Sequence, residues 1–255
     1  MGRPGRKLDR LEEAVDVIDD PCCLNLNGIT ASVIGGVAPE NAYASAVPFG
    51  HRRRFAQFFT PPKVASLMAE WALAHDPRSL LDPALGMGAF IRAARVRKPD
   101  ISITAFEKDA VVLRAYLSTQ QNLRNFEVIQ GDFLTLEMLS TFDSVLMNPP
   151  YLRHHDMAYD FDIFGRFSQT YGVFLSRLSN SYVLFTLKAV TALNPGGRAA
   201  IIIPSEWMNA NFGSALKSFM IKQGLLREII YFSNCSEIFD DVLTTACVLL
   251  IERPG

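Results

Sequence analysis

The chain has 255 residues and a formal net charge of −1 at pH 7, and 49% of its residues are hydrophobic. This length and apolar content suit one large α/β domain, or one domain with an appendage. The near-neutral charge excludes the global basic signature of many nucleic-acid-binding proteins. A polyanionic partner would therefore have to meet local basic patches or a second polypeptide.

Cysteine and histidine positions exclude the common disulfide and zinc patterns. The four cysteines, at positions 22, 23, 235 and 247, have no CxxC spacing, and an adjacent pair is a poor basis for disulfide bonds. We therefore expect reduced thiols in a cytoplasmic protein. The histidines have no ligand spacing to the cysteines, so no metal is expected. The N-terminal region has no signal-peptide stretch and the longest apolar runs are too short to span a bilayer, so no membrane contact is expected.

The first 50 residues are predicted to form an extension, followed by one main domain over 51–255. Within the extension, apolar residues at helical spacing predict a helix over 8–18. From Pro21 to Gly50 the sequence is rich in Gly, Pro, Asn and Ala and has no clear periodicity. We predict that this stretch is irregular and either covers the edge of the domain or is mobile.

The main domain opens on a basic cluster and a helix start. Charge patterning favours a solvated surface turn for His51–Arg54, and the alternative is a contact with phosphate. Thr60 is predicted to be the N-cap of a helix that begins at Pro61 and runs to about Ala74. The backbone N–H groups at such a helix start suit a carboxylate ligand.

A strand that starts at Leu80 leads into a glycine-containing turn and a helix. Gly86 and Gly88 allow unusual dihedral angles and a close approach of the backbone to a ligand, although a GxG pattern by itself is weak evidence. The next predicted strand, Ile101–Phe106, ends in Glu107. An acidic residue about 20 residues after the glycines is where α/β nucleoside-binding folds hold a ribose diol. The two features support each other at this separation.

The third predicted strand, Phe126–Ile129, is closed by Asp132 and Phe133. At the same edge of the sheet, Asp132 would accept a hydrogen bond from an adenine amino group, and Phe133 would pack on the ring. Taken alone, a turn aspartate followed by a core phenylalanine is the better interpretation.

The fourth predicted strand, Phe142–Met147, stops abruptly at Asn148-Pro149-Pro150-Tyr151. Neither proline can donate a hydrogen bond to a sheet, so the strand ends in a rigid corner. Open α/β sheets bind ligands at the carboxyl ends of their strands. The corner offers an amide side chain, carbonyl groups and an aromatic ring, a set that suits a planar substrate with an amino group.

The remaining sequence predicts the other half of the sheet. An irregular, aromatic-rich segment over 152–180 follows the corner, and a loop of this length is usually functional or disordered. The predicted elements after it are a helix over Ser181–Leu193 ended by Asn194–Gly197, a strand over Ala199–Ile203, a helix over Asn211–Lys222, and strands over Leu225–Phe232 and Thr244–Ile251. Strands that alternate with helices predict a parallel, doubly wound sheet.

In this order the motifs resemble those of the S-adenosylmethionine-dependent adenine-N6 DNA methyltransferases of restriction-modification systems, in the gamma arrangement. Phe59-Thr60-Pro61 is similar to the motif that binds the carboxylate of the cofactor. The glycine motif is similar to Asp82-Pro83-Ala84-Leu85-Gly86-Met87-Gly88, although Leu85 stands where a small residue or Cys is more usual and Met87 where Ser or Thr is frequent. The catalytic motif is similar to Asn148-Pro149-Pro150-Tyr151, and Glu237-Ile238-Phe239 is similar to the motif that supplies a second aromatic wall. The resemblance covers residues 50–252.

The resemblance implies a class I methyltransferase fold, which is a Rossmann-like, doubly wound, mostly parallel seven-stranded sheet with an antiparallel strand near the C-terminus. It also implies S-adenosylmethionine as cofactor. Glu107 would hold the ribose diol, Thr60 the methionine end, and Asp132 with Phe133 the adenine. The full implied set of cofactor-binding residues is Phe59, Thr60, Asp82, Pro83, Ala84, Gly86, Gly88, Glu107, Lys108, Asp132, Phe133 and Pro150.

The implied catalytic residues are Asn148, Pro149, Pro150 and Tyr151. An exocyclic amine would donate hydrogen bonds from its two N–H groups to the side-chain oxygen of Asn148 and the carbonyl of Pro149. These hydrogen bonds would localise its lone pair. A base inside a duplex cannot reach this corner, so it would be flipped out. Tyr151 would stack on one face of the base and Phe239 would contact the other, with Pro150 between the two pockets.

The expected partner is double-stranded DNA, in a bacterial or archaeal cell as the resemblance implies. No recognition domain follows the last predicted strand. This leaves three alternatives, which are a separate target-recognition or specificity subunit, a further segment of a longer chain, or a stand-alone enzyme of low specificity. One alternative is a methyltransferase that acts on a glutamine amide of a protein or on RNA, since the corner suits any planar amide or aromatic amine. Another is a cofactor-binding subunit that needs a partner for DNA recognition.

Overall fold

The computed structural model describes residues 17–120, 124–138, 141–157, 159–160, 162–232 and 245–255. These residues contain seven strands: β1 Ser79–Asp82, β2 Ser102–Glu107, β3 Phe126–Gln130, β4 Phe142–Met147, β5 Leu193–Pro204, β6 Leu226–Phe232 and β7 Ala246–Glu252. The same residues contain nine α-helices: α1 Leu26–Ile34, α2 Pro39–Ala46, α3 Phe49–Arg54, α4 Pro62–Ala72, α5 Ala89–Arg97, α6 Ala110–Ser118, α7 Asp162–Tyr171, α8 Ser181–Thr191 and α9 Ser214–Lys222.

The strands form one sheet in the order β3-β2-β1-β4-β5-β7-β6. Strands β1 to β5 pair with one another in parallel, and β7 runs antiparallel to both β5 and β6. The predicted fold class, a mostly parallel, doubly wound sheet with an antiparallel strand near the C-terminus, is confirmed. The strand order reverses between β1 and β4, and ligands of open α/β sheets bind at the carboxyl ends of the strands at such a switch point.

Alternate residues of the central strands face two helical layers. In β5, Ala200 and Ile202 pack in the core that contains α1, α2 and α4 to α6, whereas Ala199, Ile201 and Ile203 pack with α7 to α9. Successive side chains of a strand point to opposite faces, so a strand covered on both faces has a continuous apolar sequence. This is why the central strands were predictable.

The N-terminal region is helical from residue 26, so the prediction of an irregular stretch over Pro21–Gly50 was wrong. Helix α1 is capped by Asn25, whose side chain accepts a hydrogen bond from Gly28 N at 3.0 Å. Ile29 and Tyr43 are buried in the same core as α4 to α6. Short helices of this kind are stabilised mainly by tertiary packing, which a window of sequence does not show. The predicted helix over 8–18 lies almost entirely outside the described residues.

Two features after β4 also differ from the prediction. Helix α7 lies within the segment 152–180 that was predicted to be irregular. Helix α8 ends at Thr191, and Asn194–Gly197 belongs to β5 instead of ending the helix. The cause is pairing with the end of the chain, since Gly196 N donates to Arg253 O and Arg253 N donates to Gly197 O, both at 2.9 Å.

The amino edge of the sheet is held together by one carboxylate. Asp143 Oδ2 accepts hydrogen bonds from Arg78 N at 2.8 Å and Ser79 N at 3.2 Å, and its Oδ1 accepts from Asn194 Nδ2 at 2.8 Å. Although partial burial acts in the opposite direction, these hydrogen bonds hold the pKa of Asp143 below its usual range. The side chain thereby joins the starts of β1, β4 and β5.

In the described part of the chain, no helix is long and apolar enough to cross a membrane. Among the same residues, there is no group of three or more His, Cys, Asp or Glu side chains placed to hold a metal ion.

Candidate active site at the carboxyl edge of the sheet

Asn148 lies directly after β4, and two hydrogen bonds fix the orientation of its amide. Its Nδ2 donates to Phe58 O at 2.9 Å and to Thr60 Oγ1 at 3.1 Å. Both acceptors lie in the segment just before α4, about 90 residues earlier in the chain. Because the amide nitrogen is fully used in these contacts, Oδ1 is the end of the side chain that remains to accept a hydrogen bond from a ligand.

Thr60 has a different local role from the one predicted. Helix α4 begins at Pro62, its N-cap residue is Pro61, and no side chain caps it. The prediction that Thr60 is the N-cap was therefore wrong. Instead, its buried hydroxyl accepts a hydrogen bond from Asn148 and keeps its own proton to donate.

The backbone of the corner is pinned to the start of α8. Ser181 Oγ accepts a hydrogen bond from Leu152 N at 3.0 Å and donates one to Pro150 O. Ser181 N also donates to Leu152 O at 3.0 Å. The carbonyl of Pro150 and the amide of Leu152 are thus held by one side chain, which makes the corner rigid on both sides of Tyr151.

Tyr151 is held as a wall of the corner. Its hydroxyl donates to Ile202 O at 3.1 Å, and its ring lies edge-on to Tyr182 with centroids 6.2 Å apart. The ring of Phe58 lies nearly parallel to that of Tyr151, at an interplanar angle of 18° and a centroid distance of 6.2 Å. Sequence reasoning missed Phe58, although an aromatic residue next to the Thr60 motif was a usable signal.

The turn from β1 into α5 uses glycine for two separate reasons. Gly86 and Gly88 have φ angles of 52° and 76°, a region that other residues avoid. A Cβ atom on Gly88 would also lie 2.3 Å from Cε2 of Tyr116, a ring that is fully buried. A Cβ atom on Gly86 would meet only the ring of Phe59, at an ordinary 3.5 Å.

Glu107 ends β2 and faces this turn. Its Oε2 accepts a hydrogen bond from Gly86 N at 2.9 Å, and its Oε1 accepts one from Asp109 N at 2.8 Å. Burial raises the pKa of Glu107 to about 7, against the effect of these backbone hydrogen bonds. A carboxylate can accept about four hydrogen bonds, so Glu107 keeps capacity to accept from a hydroxyl of a ribose.

Asp82, at the end of β1, is a buried carboxyl with an unused oxygen. It is 0% exposed, and its Oδ1 accepts a hydrogen bond from Ala84 N at 3.2 Å. Within the described residues, its Oδ2 has no hydrogen-bond partner. Burial raises the pKa of Asp82 to about 8. Buried polar atoms are nearly always paired, so an unpaired one beside a glycine turn marks a place for a ligand donor.

Asp132 makes polar contacts at the edge of the sheet, whereas the ring of Phe133 packs in the core. Asp132 Oδ2 accepts a hydrogen bond from the Tyr159 hydroxyl at 2.6 Å and pairs with Lys108 Nζ at 2.9 Å. The Phe133 ring is 1% exposed and packs against Phe106 and Phe185. The ring therefore lies in the core, and a contact of this residue with an adenine would come from its backbone.

Several of the sequence-predicted residues contact one another, in three groups. Thr60 contacts Asn148, Glu107 contacts the glycine turn, and Asp132 contacts Lys108. Phe239, the predicted second wall for a substrate base, lies outside the described residues.

These groups fit S-adenosylmethionine in chemical terms. Glu107 has acceptor capacity for a ribose diol, Asp82 has an unpaired acceptor for an ammonium group, and the glycine turn lets the backbone approach closely. Together with the strand order, this grouping at the switch point defines a class I S-adenosylmethionine-dependent methyltransferase fold.

The chain belongs to the Eco57I restriction-modification methylase family, whose model matches residues 84–239. It is 35% identical over 213 residues to the type II methyltransferase M.AccI of Acinetobacter calcoaceticus, a match that covers 83% of this chain and 39% of that relative. A tRNA1(Val) (adenine(37)-N6)-methyltransferase of Pseudoalteromonas translucida is 36% identical over 93 residues, which are 34% of this chain and 39% of that protein.

A type I restriction-modification system methyltransferase subunit from Streptococcus thermophilus has the same fold, with a TM-score of 0.65 at 19% identity. That match covers 78% of this chain and 45% of the other. The chain spans about two fifths of the length of the type II relatives that it matches.

Proposed function

We propose that this protein transfers a methyl group from S-adenosylmethionine to the exocyclic N6 of an adenine flipped out of double-stranded DNA, as part of a restriction-modification or related defence system. The observation that carries the proposal is the orientation of Asn148. Its amide nitrogen is held by Phe58 O and Thr60 Oγ1, which leaves its oxygen to accept from an amine.

An exocyclic amine of adenine is a poor nucleophile because its lone pair is delocalised into the ring. The two N–H groups of this amine donate hydrogen bonds to Asn148 Oδ1 and to the carbonyl of Pro149. These hydrogen bonds hold the nitrogen closer to tetrahedral geometry. No strong general base is needed before attack, because the amine proton leaves for solvent once the N–C bond has formed and the methyl–sulfur bond has broken. The rigid corner supplies orientation, which contributes up to roughly 7–11 kcal/mol in well-oriented systems, and fixed dipoles supply electrostatic stabilisation.

Aromatic rings hold the flipped base beside this amide. Tyr151 stacks on one face, and we propose that Phe58, whose ring is nearly parallel to Tyr151, adds a second aromatic contact. The predicted role of Phe239 on the other face remains part of the proposal. Stacking of a base on an aromatic side chain contributes about 1–3 kcal/mol.

The cofactor supplies the activated methyl group when bound. On the protein side, Glu107 would accept hydrogen bonds from the ribose hydroxyls, and Asp82 Oδ2 would accept one from the ammonium group. Thr60 and the first amides of α4 would hold the carboxylate of the methionine end. We propose that the adenine lies near Lys108, Asp132 and the backbone of Phe133, with Pro83, Ala84 and Phe59 around the glycine turn and Pro150 between the two pockets.

We propose that another polypeptide or a further recognition segment selects the DNA sequence. The proposed site holds one base and does not read its neighbours, and sequence-specific binding requires contacts with base edges made by a dedicated element. The type I methyltransferase of similar fold from Streptococcus thermophilus is itself a subunit of a restriction-modification system, which is compatible with a separate specificity subunit.

RNA is the second candidate substrate, because one relative with 36% identity over 93 residues is a tRNA adenine-N6 methyltransferase. The same corner would hold an unpaired adenine of either nucleic acid. A protein glutamine amide suits the corner as well, but no relative described above acts on one.

The test is production of the protein in a host without adenine methylation, followed by mass spectrometry of nucleosides from its DNA and RNA. We expect N6-methyladenine in DNA, and its loss in Asn148→Ala. Asn194→Ala is the matched control, because Asn194 also donates from its amide, to Asp143 at the opposite edge. Methylation confined to RNA would move the assignment to the second candidate, and N4-methylcytosine in place of N6-methyladenine would refute the target base.

A further inference from the structure

His51 is a buried histidine that the proposed chemistry does not use. It lies in α3, is 1% exposed, and was expected on the surface because three arginines follow it. Its Nδ1 accepts a hydrogen bond from Ile18 N at 3.2 Å, and its Nε2 lies 2.8 Å from Asp109 Oδ2. Since Nδ1 is an acceptor, the proton lies on Nε2 and points to Asp109.

Asp109 receives a second donor on the same oxygen. Gln57 Nε2 donates to Asp109 Oδ2 at 2.5 Å, and Gln57 Oε1 accepts from the Tyr43 hydroxyl at 2.9 Å. The other oxygen, Oδ1, caps α6 by accepting from Val111 N at 3.0 Å. Capping needs only Oδ1, so the two donors on Oδ2 fix Asp109 beyond what the helix requires.

The position of Asp109 determines that of the proposed ribose acid. Asp109 N donates to Glu107 Oε1 at 2.8 Å, while Gly86 N holds the other oxygen at 2.9 Å. The carboxylate of Glu107 is therefore oriented by two backbone amides. One belongs to the glycine turn, and the other belongs to a residue that His51 and Gln57 hold in place.

The segment 57–60 also reaches the catalytic amide. Gln57 contacts Asp109 through its side chain, and the next residue, Phe58, accepts a hydrogen bond from Asn148 through its carbonyl. One short, continuous piece of backbone thus touches the support of the cofactor acid at one end and the substrate-binding amide at the other.

A second contact links the N-terminal helices to the glycine turn. Arg92 Nη1 donates to Met87 O at 2.6 Å, and its Nη2 pairs with Glu40, a residue of α2 that is largely buried. His51 and Gln57 thus support Glu107 through Asp109, and Glu40 supports the glycine turn through Arg92. Residues that precede α4 therefore contact the supports of both parts of the proposed cofactor site.

We propose that His51 and Gln57 are positioning residues, which act through Asp109 to orient Glu107 for the cofactor and which couple the cofactor pocket to Asn148. The proposal rests on the proposed use of S-adenosylmethionine. It makes the N-terminal helices part of the methyl-transfer site.

The test is calorimetric binding of S-adenosylmethionine to wild type, His51→Phe, His51→Gln and Gln57→Leu. His51→Phe removes the donor to Asp109, so we expect the Kd to rise about 10-fold, as for a lost hydrogen bond to a charged group. His51→Gln keeps an N–H donor at a similar reach and should recover most of the affinity. Gln57→Leu, at a less buried position, tests the same link if His51→Phe fails to fold.

His75→Phe is the matched control, since His75 Nε2 contacts the backbone at Asp143 O at 3.1 Å, on the amino edge of the sheet. It should change the melting temperature without changing the Kd. A Glu107→Gln background gives a further check, because His51→Phe should then weaken binding no further if it acts through Glu107.

The outcomes separate the two proposals. A wild-type protein that binds no S-adenosylmethionine refutes the proposed function together with this inference. If wild type binds and folded His51→Phe and Gln57→Leu bind equally well, the positioning role alone is overturned. Full additivity of His51→Phe with Glu107→Gln would also overturn it, because a purely structural role predicts independent effects.

Discussion

Each of the two edges of the central sheet carries a buried or partly buried aspartate. The two aspartates differ in how many hydrogen bonds they accept and in the direction of their pKa shifts. Asp143, at the amino edge, receives hydrogen bonds on both oxygens, which hold its pKa below the usual range against the effect of partial burial. Asp82, at the carboxyl edge, has an unpaired oxygen among the described residues, and burial raises its pKa to about 8.

The difference shows where the chain stabilises its fold and where it keeps binding capacity. A satisfied carboxylate joins strands and contributes to stability. An unsatisfied one destabilises the free protein and is retained where a ligand supplies the missing donor. The contrast can be tested by matched changes at the two edges, because three carboxyl-edge residues have amino-edge counterparts of the same type. The pairs are Asn148 with Asn194, Asp82 with Asp143, and Gly88 with Gly196.

The largest expected effect is that of Asn148→Ala. Loss of a pre-oriented polar group at the reacting atom costs about 10²–10³ in kcat, while cofactor affinity should stay within about threefold because Asn148 is proposed to touch the substrate amine. Single-turnover methylation and calorimetry measure the two quantities. Asn194→Ala should leave kcat unchanged and lower stability, and near-normal turnover in Asn148→Ala would refute its assignment.

Gly88→Ala should destabilise the protein more than Gly196→Ala. Both glycines have a φ of 76°, so alanine introduces the same backbone strain, about 1–2 kcal/mol, at each position. At Gly196 the new Cβ meets nothing within 4 Å, whereas at Gly88 it meets Tyr116. We expect a further loss of about 1–3 kcal/mol at Gly88 from overpacking, measured by urea unfolding. Equal losses would show that Tyr116 moves away freely.

Exchange of the two aspartates for asparagine should separate binding from stability. Asp82→Asn is expected to weaken S-adenosylmethionine binding about 10-fold, by loss of a charged hydrogen bond, with little loss of stability. Asp143→Asn is expected to lower the free energy of unfolding by about 1–3 kcal/mol and to leave the Kd unchanged. Calorimetry measures the Kd of both variants, and urea unfolding measures their free energy of unfolding. The contrast fails if both variants show the same pattern.

The last expected effect concerns the protein without cofactor, whose stability should depend on pH. The pKa rises from 3.8 to about 8 for Asp82 and from 4.5 to about 7 for Glu107, so between these limits the folded state binds protons that the unfolded state has released. Stability from these groups is therefore present at low pH and falls as the pH rises toward 8. Urea unfolding from pH 5 to 8 measures it.

The double variant Asp82→Asn, Glu107→Gln is the control for this pH dependence, since neither replacement side chain titrates. It should flatten the profile, while Asp143→Asn should not, because a lowered pKa places the titration of Asp143 below this window. A profile that keeps its slope in the double variant would assign the effect to other groups.

Patterns that depend on neighbouring residues in the chain were predictable from the sequence. Buried parallel strands have continuous apolar runs, and the glycine turn, Glu107 and the Asn148 corner have recognisable spacings. These features predicted the sheet, which the structure confirms, and the residues of the candidate site, whose roles remain predictions.

Features that depend on contacts between distant residues were not predictable. His51 stands beside three arginines, but its contacts with Ile18 and with Asp109, 33 and 58 positions away, hold it in the interior. The helices before it have weak periodicity and are stabilised by packing on the core. The Phe133 ring faces the core because of Phe106 and Phe185, which local sequence does not indicate.

The contacts of the N-terminal helices have a practical meaning for anyone who shortens this protein. Removal of residues 1–50 as an appendage would delete Ile18, which satisfies His51, and Tyr43, which satisfies Gln57. It would also delete Glu40, the partner of Arg92 behind the glycine turn. A shortened version should therefore begin before residue 17.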